Sequence, residues 1–283
     1  MNKKAKTKGK MNVPSKIFKF FVYLATILTF VFLIWIIFDV VIRGLPHLSP
    51  KLFETKYTTD NVSMFPAIIN TLEMILITLL ISVPIGIITA VYMVEYADSE
   101  NTFFKVVNLM VETLQGIPSI IFGLFGMLFF GNLIGWSYTI IAGALTMSIM
   151  VLPLIITSTV EALKSVPISQ REASYALGAR KVRTIFRVVL PAASKGIFSG
   201  IILAIGRAVG ETAALMYTAG TGTQIAGAME SGRTLAIHMY MLSTESLHKN
   251  EAYATAFVLM VIVIIINGIS SHMNNKLDTE KEK

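Results

Sequence analysis

Six apolar stretches of membrane-spanning length alternate with polar breaks along this chain. A helix needs about 20 consecutive apolar residues to cross a bilayer. The stretches read as helices at about 17–42, 67–94, 106–130, 137–160, 195–219 and 251–271. In the first, only Thr26 and Thr29 interrupt the run from Phe20 to Phe38. Pro84, Pro118 and Pro153 each fall inside a span and are expected to kink it. The pattern implies an all-α integral membrane protein with six transmembrane helices. It divides into a tail at 1–16, a first helix with its outer loop at 17–66, a transmembrane core at 67–271 holding a long polar loop at 161–195, and a tail at 272–283.

Composition supports this reading. Of 283 residues, 54% are hydrophobic and only 14% charged, against about 25% charged in soluble domains. The net charge of +7 is unevenly spread. Seven lysines (Lys3, Lys4, Lys6, Lys8, Lys10, Lys16, Lys19) precede or open the first span, with no acid among them. Seven more basic residues (Lys164, Arg171, Arg180, Lys181, Arg183, Arg187, Lys195) lie in the 161–195 loop. The positive-inside rule puts that loop and both termini in the cytoplasm, so the charge reads as topology rather than nucleic-acid binding. The first apolar run is too long for a signal peptide and lacks a small-residue cleavage site, which implies an uncleaved anchor. The absence of cysteine excludes disulfides, thiolate metal sites and a cysteine nucleophile. His47, His238, His248 and His272 show no ligand spacing, so no metal site is expected, and no paired acids with a nucleophile suggest catalysis.

The polar insert holds Glu172-Ala173, then Gly178, then Leu190-Pro191. Ser169 and Glu172 have capping-box spacing, predicting a helix to Leu177 with Gly178 as its left-handed stop. A second, basic helix should follow, with Val182, Ile185, Phe186, Val189 and Leu190 on one face, and Pro191 ending or bending it. The same moment also suits a helix lying on anionic lipid. No GxxxxGK[ST] phosphate loop occurs, so ATP hydrolysis by that route must belong to a partner.

The fifth span carries Arg207 and Glu211, four apart and expected on one helical face near the membrane middle or a little outside it. A charge there costs about 2.5–3.5 kcal/mol on insertion scales. The pair is either a structural ion pair or an anion site. In the second case the guanidinium fork suits a tetrahedral oxyanion, and Glu211 holds Arg207 when no anion is present. Gly196, Gly200, Gly206 and Gly210 give two GxxxG spacings, expected to pack a subunit interface. Glu73 and Glu112 fall near helix starts, and the glycines of 116–126 suggest a flexible or tightly packed third span.

These stretches resemble the permeases of ABC transporters, whose cytoplasmic EAA loop docks onto a separate ATPase. The runs VPIGIITAVYMVEY, GIPSIIFGLFG, Gln170–Pro191 and GRAVGETAALMYT are similar to those of phosphate-specific permeases. The PstA branch fits better than the PstC branch, on chain length, the run after Glu211 and the late Ile237-His238-Met239-Tyr240 element. The resemblance implies a type I importer (MetI-like) permease core with cytoplasmic EAA coupling helices, in a bacterial plasma (inner) membrane. It implies a non-enzymatic subunit forming half of the pathway of an ATP-driven importer of inorganic phosphate. Glu172, Ala173, Gly178, Leu190 and Pro191 would couple to the ATPase, and Arg207 and Glu211 would line the pathway. Implied partners are a PstC-like permease in a heterodimer, a PstB-like ATPase dimer holding ATP and Mg, a PstS-like phosphate-binding protein and membrane lipid, but no nucleic acid. The chain itself would hold no cofactor. A PstC-type subunit, or a permease for molybdate, sulfate or phosphonate, is the alternative; a pure scaffold sits badly with two buried charges. Two departures stand out. Ala214 replaces a usual proline, which should straighten the fifth span locally, and Ser174 replaces an alanine.

Overall fold

The computed structural model describes residues 13–279 except 99 and 246. The lysines of 1–12, with Lys281 and Lys283, lie outside the described residues, as do most of the tail at 1–16 and the end of that at 272–283. The described chain is helical, and five single helices have the length and apolarity to cross a membrane. A sixth apolar stretch is divided between two helices that meet at a sharp bend.

Helix α1, Val13–Gly44, is exposed along almost its whole length, with Phe20, Phe32, Trp35 and Phe38 open. Such a surface suits lipid, which leaves no hydrophobic drive to bury it against protein. It meets the rest at its far end, where Gly44 lies against the Tyr253 backbone of α11, Lys249–Thr279. A Cβ at position 44 would clash there, so glycine permits the close approach.

Helix α5, Ile140–Lys164, forms the centre, with Ile140, Ala144, Met147, Val151 and Ile155 fully buried. It packs most closely on α2, Phe65–Val91, which continues as a π-turn to Tyr96. Small and hydroxylated residues line their contact. Gly86 takes the Ile155 side chain, Thr78 Oγ1 donates to Ala144 O (3.2 Å), and Ser148 Oγ lies 3.3 Å from Thr78 O. Where apolar contact alone gives no advantage over lipid, such fits hold helices together. Pro84 and Pro153 sit inside continuous helices, as kink positions do.

Pro118 goes further than a kink. The third span does not run unbroken over 106–130: α3, Thr102–Gly116, and α4, Ser119–Gly126, meet at 105°. Ile117 is extended (φ −75°, ψ 128°), the conformation that a following proline imposes. The glycines of α4 serve tight packing. Gly123 lies on the Ala214 backbone, and Gly126 on Thr146 and Thr218.

The fifth span also differs from expectation. Helix α6, Ile168–Ala176, is followed by α7, Lys181–Thr184, a π-turn at 185–189, and α8, Leu190–Gly210. The last three are one continuous 30-residue helix, so the basic helix is an extension of the span. Pro191 neither ends nor breaks it, because it stands in the first turn of α8, directly after the π-turn. Proline lacks only an N–H and displaces one carbonyl, which the widened turn accommodates. At the other end the helix stops at Gly210 instead of running to 219. Ala214 belongs to a separate short helix, α9, Ala213–Met216, and so does not straighten the span.

After α9 the chain folds back over the α5 N-terminus. Thr139, Ile140 and Ile141 donate their amides to the carbonyls of Thr218, Glu230 and Ala228 (2.9–3.0 Å), satisfying groups that a helix start leaves open. Buried Asn70 pins the fold-back by donating to Gln224 O (3.0 Å) and accepting from Ala226 N (3.0 Å). Helix α10, Leu235–Thr244, then leads to α11.

Candidate functional site

The bundle carries chemistry at its two ends. At the basic end, α6 projects between α5 and α7. The Ser169–Glu172 capping box does not form, because the helix starts two residues earlier than it requires, at Ile168, with Pro167 at the cap and no side-chain capping bond. Pro167 holds the extended conformation (φ −57°, ψ 138°) that opens a helix, which leaves Ser169 inside it. Gly178 does stop this segment, with φ +81°, where a side chain would be strained. Glu172 and Ala173 are exposed, as are Ile168, Tyr175 and Leu177, the last at 90%. An acid thus stands among apolar side chains facing away from the core. Of the expected apolar face of the following helix, Ile185 and Val189 are buried, while Val182 and Phe186 are open.

What holds α6 is a residue that the sequence offered only as one more positive charge. Arg171 Nε donates to Glu95 Oε1 (3.0 Å), Nη1 to Val166 O (2.7 Å) and Nη2 to Leu163 O (2.9 Å). Its side chain is 14% exposed and that of Glu95 only 6%. One guanidinium therefore ties the α2 extension, the open carbonyls at the α5 C-terminus and α6 into one body. Two further ties join this end. Ser174 Oγ and Thr184 Oγ1 share a hydrogen bond (2.9 Å), and Lys181 Nζ lies 4.6 Å from the Tyr96 ring centroid. The Ser174 departure is thus a cross-link between α6 and α7. Glu95 is 76 residues from Arg171, so no local pattern announces the pair.

At the end of α8, Arg207 and Glu211 are not on one helical face. The helix stops between them, and Glu211 is extended (ψ 129°). Its Oε1 accepts from Ala214 N (3.1 Å), so the carboxylate caps α9 instead of holding Arg207. A free helix start attracts an acid as strongly as an exposed guanidinium does. Arg207 is half-buried in the last turn of α8, where the carbonyl end of the helix favours a cation, and has no hydrogen-bond or ion-pair partner among the described residues. Three residues from the helix end, it lies near one end of the span and not at its middle.

The glycines divide by face. Gly196 packs on Ala162 and Gly200 on Ser158, both of α5, so these two serve contact within the chain. Gly206 and Gly210 meet nothing within 4 Å and leave an open strip beside Arg207.

The end opposite α6 holds a second group of polar side chains. Arg233 and His238 are buried, at 5% and 0% exposure, beneath Tyr57. The Arg233 Cζ lies 4.5 Å from the Tyr57 ring centroid, and the imidazole meets that ring edge-on at 6.2 Å. Burial, then the charge of Arg233, lowers the His238 pKa from 6.5 to about 3; the Val62 backbone opposes the shift without closing a hydrogen bond. Val62 holds φ +39°, a strained value for a β-branched residue. A folded-state pKa below the unfolded one gives stability that is complete above pH 6.5 and lost as pH falls toward 3. Between pH 7 and pH 5 the loss is about 2 kcal/mol. The protection factors of α10 amides, with the intrinsic pH dependence of exchange divided out, should fall over that interval in the wild type and change little in His238→Phe.

The comparisons with known proteins agree with this architecture. Residues 82–278 match the family described as "Binding-protein-dependent transport system inner membrane component". The probable ABC transporter permease protein YqgI of Bacillus subtilis is 35% identical over 247 residues, which cover 81% of this chain and 84% of that protein. The phosphate transport system permease protein PstA of Haemophilus influenzae is 30% identical over 254 residues, covering 87% and 88%. Among solved structures, a bacterial alginate ABC transporter in complex with an alginate-bound periplasmic protein superposes with a TM-score of 0.69 at 17% identity, covering 94% of this chain and 96% of that one.

Proposed function

This chain belongs to the family of binding-protein-dependent transport inner-membrane components, and from that premise we propose that it is a permease subunit of an ATP-driven importer of inorganic phosphate. The observation that carries the substrate is the similarity to PstA of Haemophilus influenzae over 254 residues. In this reading the basic end faces the cytoplasm with both termini, as the positive-inside rule requires. Helix α6 is the coupling helix. Glu172 and Ala173, flanked by exposed Ile168, Tyr175 and Leu177, seat in a groove of the ATPase dimer, which supplies ATP and Mg. Gly178 sets the angle between α6 and α7, and Leu190 and Pro191 lie where the extension enters the span. A PstC-like second permease covers the open strip at Gly206 and Gly210, and Arg207 meets the anion there. A PstS-like binding protein delivers phosphate to the end bearing α10.

Arg171 gives this reading its mechanics. A short helix transmits motion only if it moves with the spans, and the Arg171–Glu95 tie joins α6 to α2 and α5. When the ATPase dimer closes, displacement of α6 passes into those two helices, which carry the packed centre of the fold.

Labelled phosphate uptake in cells deleted for the gene and complemented with it tests the substrate. Uptake that resists excess molybdate and sulfate is expected; failure to restore uptake with the protein in the membrane assigns another oxyanion. Glu172→Lys should reduce co-purification of the ATPase by about tenfold, the effect of losing about 1.4 kcal/mol of contact energy. Undiminished co-purification would remove Glu172 from the docking contact.

A further inference from the structure

Arg233 is a cation without a counter-ion. No carboxylate reaches it among the described residues, and Nη2 is buried without a hydrogen-bond partner. Its backbone is well anchored: the amide donates to Gly222 O (2.9 Å), and its carbonyl accepts from Asn70 Nδ2 (3.3 Å). The Tyr57 ring lies over the guanidinium, and a ring face offsets little of a buried charge. Beside it, both His238 nitrogens are buried without partners. A buried polar group left unpaired costs about 1–3 kcal/mol, and two side chains here bear that cost together. Glu54, close in sequence to Tyr57, is engaged by Asn61 Nδ2 (2.7 Å).

These unmet groups share one chemistry. Arg233 is a donor with positive charge, and His238 donates from one ring nitrogen in its neutral form. Water would fill hydrogen bonds but leave the charge unbalanced. A small oxyanion does both. Directly outside Tyr57 runs a groove of about 510 Å³, lined by Thr55, Lys56, Tyr57, Thr223, Gln224 and Ile225. Lys56 is exposed there, adding positive charge at its lip. The Tyr57 ring is thus the partition between an open basic groove and a buried, uncompensated guanidinium.

We propose that Arg233 and His238 form an oxyanion-binding subsite beneath Tyr57, entered from this groove and separate from Arg207. Tyr57 swings aside to admit the anion and closes over it. The subsite follows from the unpaired groups alone, whereas naming its anion as phosphate rests on the import function proposed above. It would hold an anion on the delivery side before Arg207 receives it.

The test uses the full chain in lipid nanodiscs with its native partner subunits, without binding protein or ATP. Labelled inorganic phosphate is titrated by equilibrium dialysis into Arg207→Gln and into Arg207→Gln combined with Arg233→Gln. The first should retain one site per chain and the second should weaken it by at least about tenfold. Equal binding by both overturns the subsite. A measurement that leaves Arg233 and Arg207 intact covers misfolding of the Arg233 variant. With ¹⁵N-histidine and the other three histidines replaced, the His238 signal should move on phosphate addition at fixed pH. A signal that stays still at saturating phosphate and at saturating sulfate overturns the proposal. Movement with sulfate but not phosphate upholds the subsite and overturns phosphate as the substrate. Normal phosphate import with no anion effect at His238 does the reverse.

Discussion

Alanine at Arg171 is expected to reduce transport by at least about tenfold while the ATPase still associates. The substitution leaves the Glu95 carboxylate, 6% exposed, without its counter-ion. Breaking one side of a buried pair costs about 3–5 kcal/mol, most of it the isolated charge. It also leaves the Val166 carbonyl, just past the α5 C-terminus, without its Arg171 donor and removes one of the bonds to Leu163 O. The cheapest relief is for α6 and the α2 extension to part, which exposes Glu95 to water. The docking face on α6 survives that movement, because Glu172 and Leu177 point away from the tie. ATP hydrolysis should therefore continue in the assembled complex with little uptake. Measuring hydrolysis and uptake on the same proteoliposomes separates uncoupling from loss of assembly. Combining Arg171→Ala with Glu95→Gln should recover much of the lost thermal stability, since no charge stays buried, without restoring coupling. Wild-type uptake by Arg171→Ala would show that α6 moves with the spans by other contacts.

Arg207→Gln should lower uptake by about 100-fold or more. A charged hydrogen bond contributes about 1.5–3 kcal/mol, and a guanidinium makes two to one oxyanion. Glutamine keeps length and polarity but neither charge nor fork. The change should leave the chain assembled, because Arg207 has no partner among the described residues to lose. Glu211→Gln is expected to behave differently. That carboxylate caps α9, so its loss should be milder and appear mainly as reduced stability. If the two residues formed a locked pair, both substitutions would act alike. Uptake at wild-type rates by Arg207→Gln would return Arg207 to a structural role.

Pattern alone was enough for the number and order of spans, because twenty apolar residues in lipid have one economical conformation, the helix. The glycine stop at Gly178 was legible for a similar reason, since φ +81° is a local demand that glycine meets. The bend at Pro118 was half legible. Proline at that position announces a disturbance, but Pro84 and Pro153 carry the same signal inside continuous helices. Which proline breaks its span depends on what packs around it, here α4 against α9. The Ser169–Glu172 spacing misled, because a capping box competes with other starts and the Pro167 geometry prevailed two residues earlier. The four glycines of the fifth span read as one surface, yet Gly196 and Gly200 serve α5 and only Gly206 and Gly210 remain open.

By itself, then, the sequence determined that this is a multi-pass helical permease with a polar, basic loop and an arginine in its fifth span. Those properties are carried by hydropathy, charge distribution and short motifs, each of which acts within a few turns of chain. Tertiary structure alone decided which charges are paired. Arg171 finds Glu95 across 76 residues, Glu211 turns from Arg207 to cap α9, and Arg233 and His238 meet under Tyr57 with no counter-ion among the described residues. The reason is that a charge buried in a low-dielectric interior takes the partner that packing brings within about 4 Å, and sequence spacing does not record that distance.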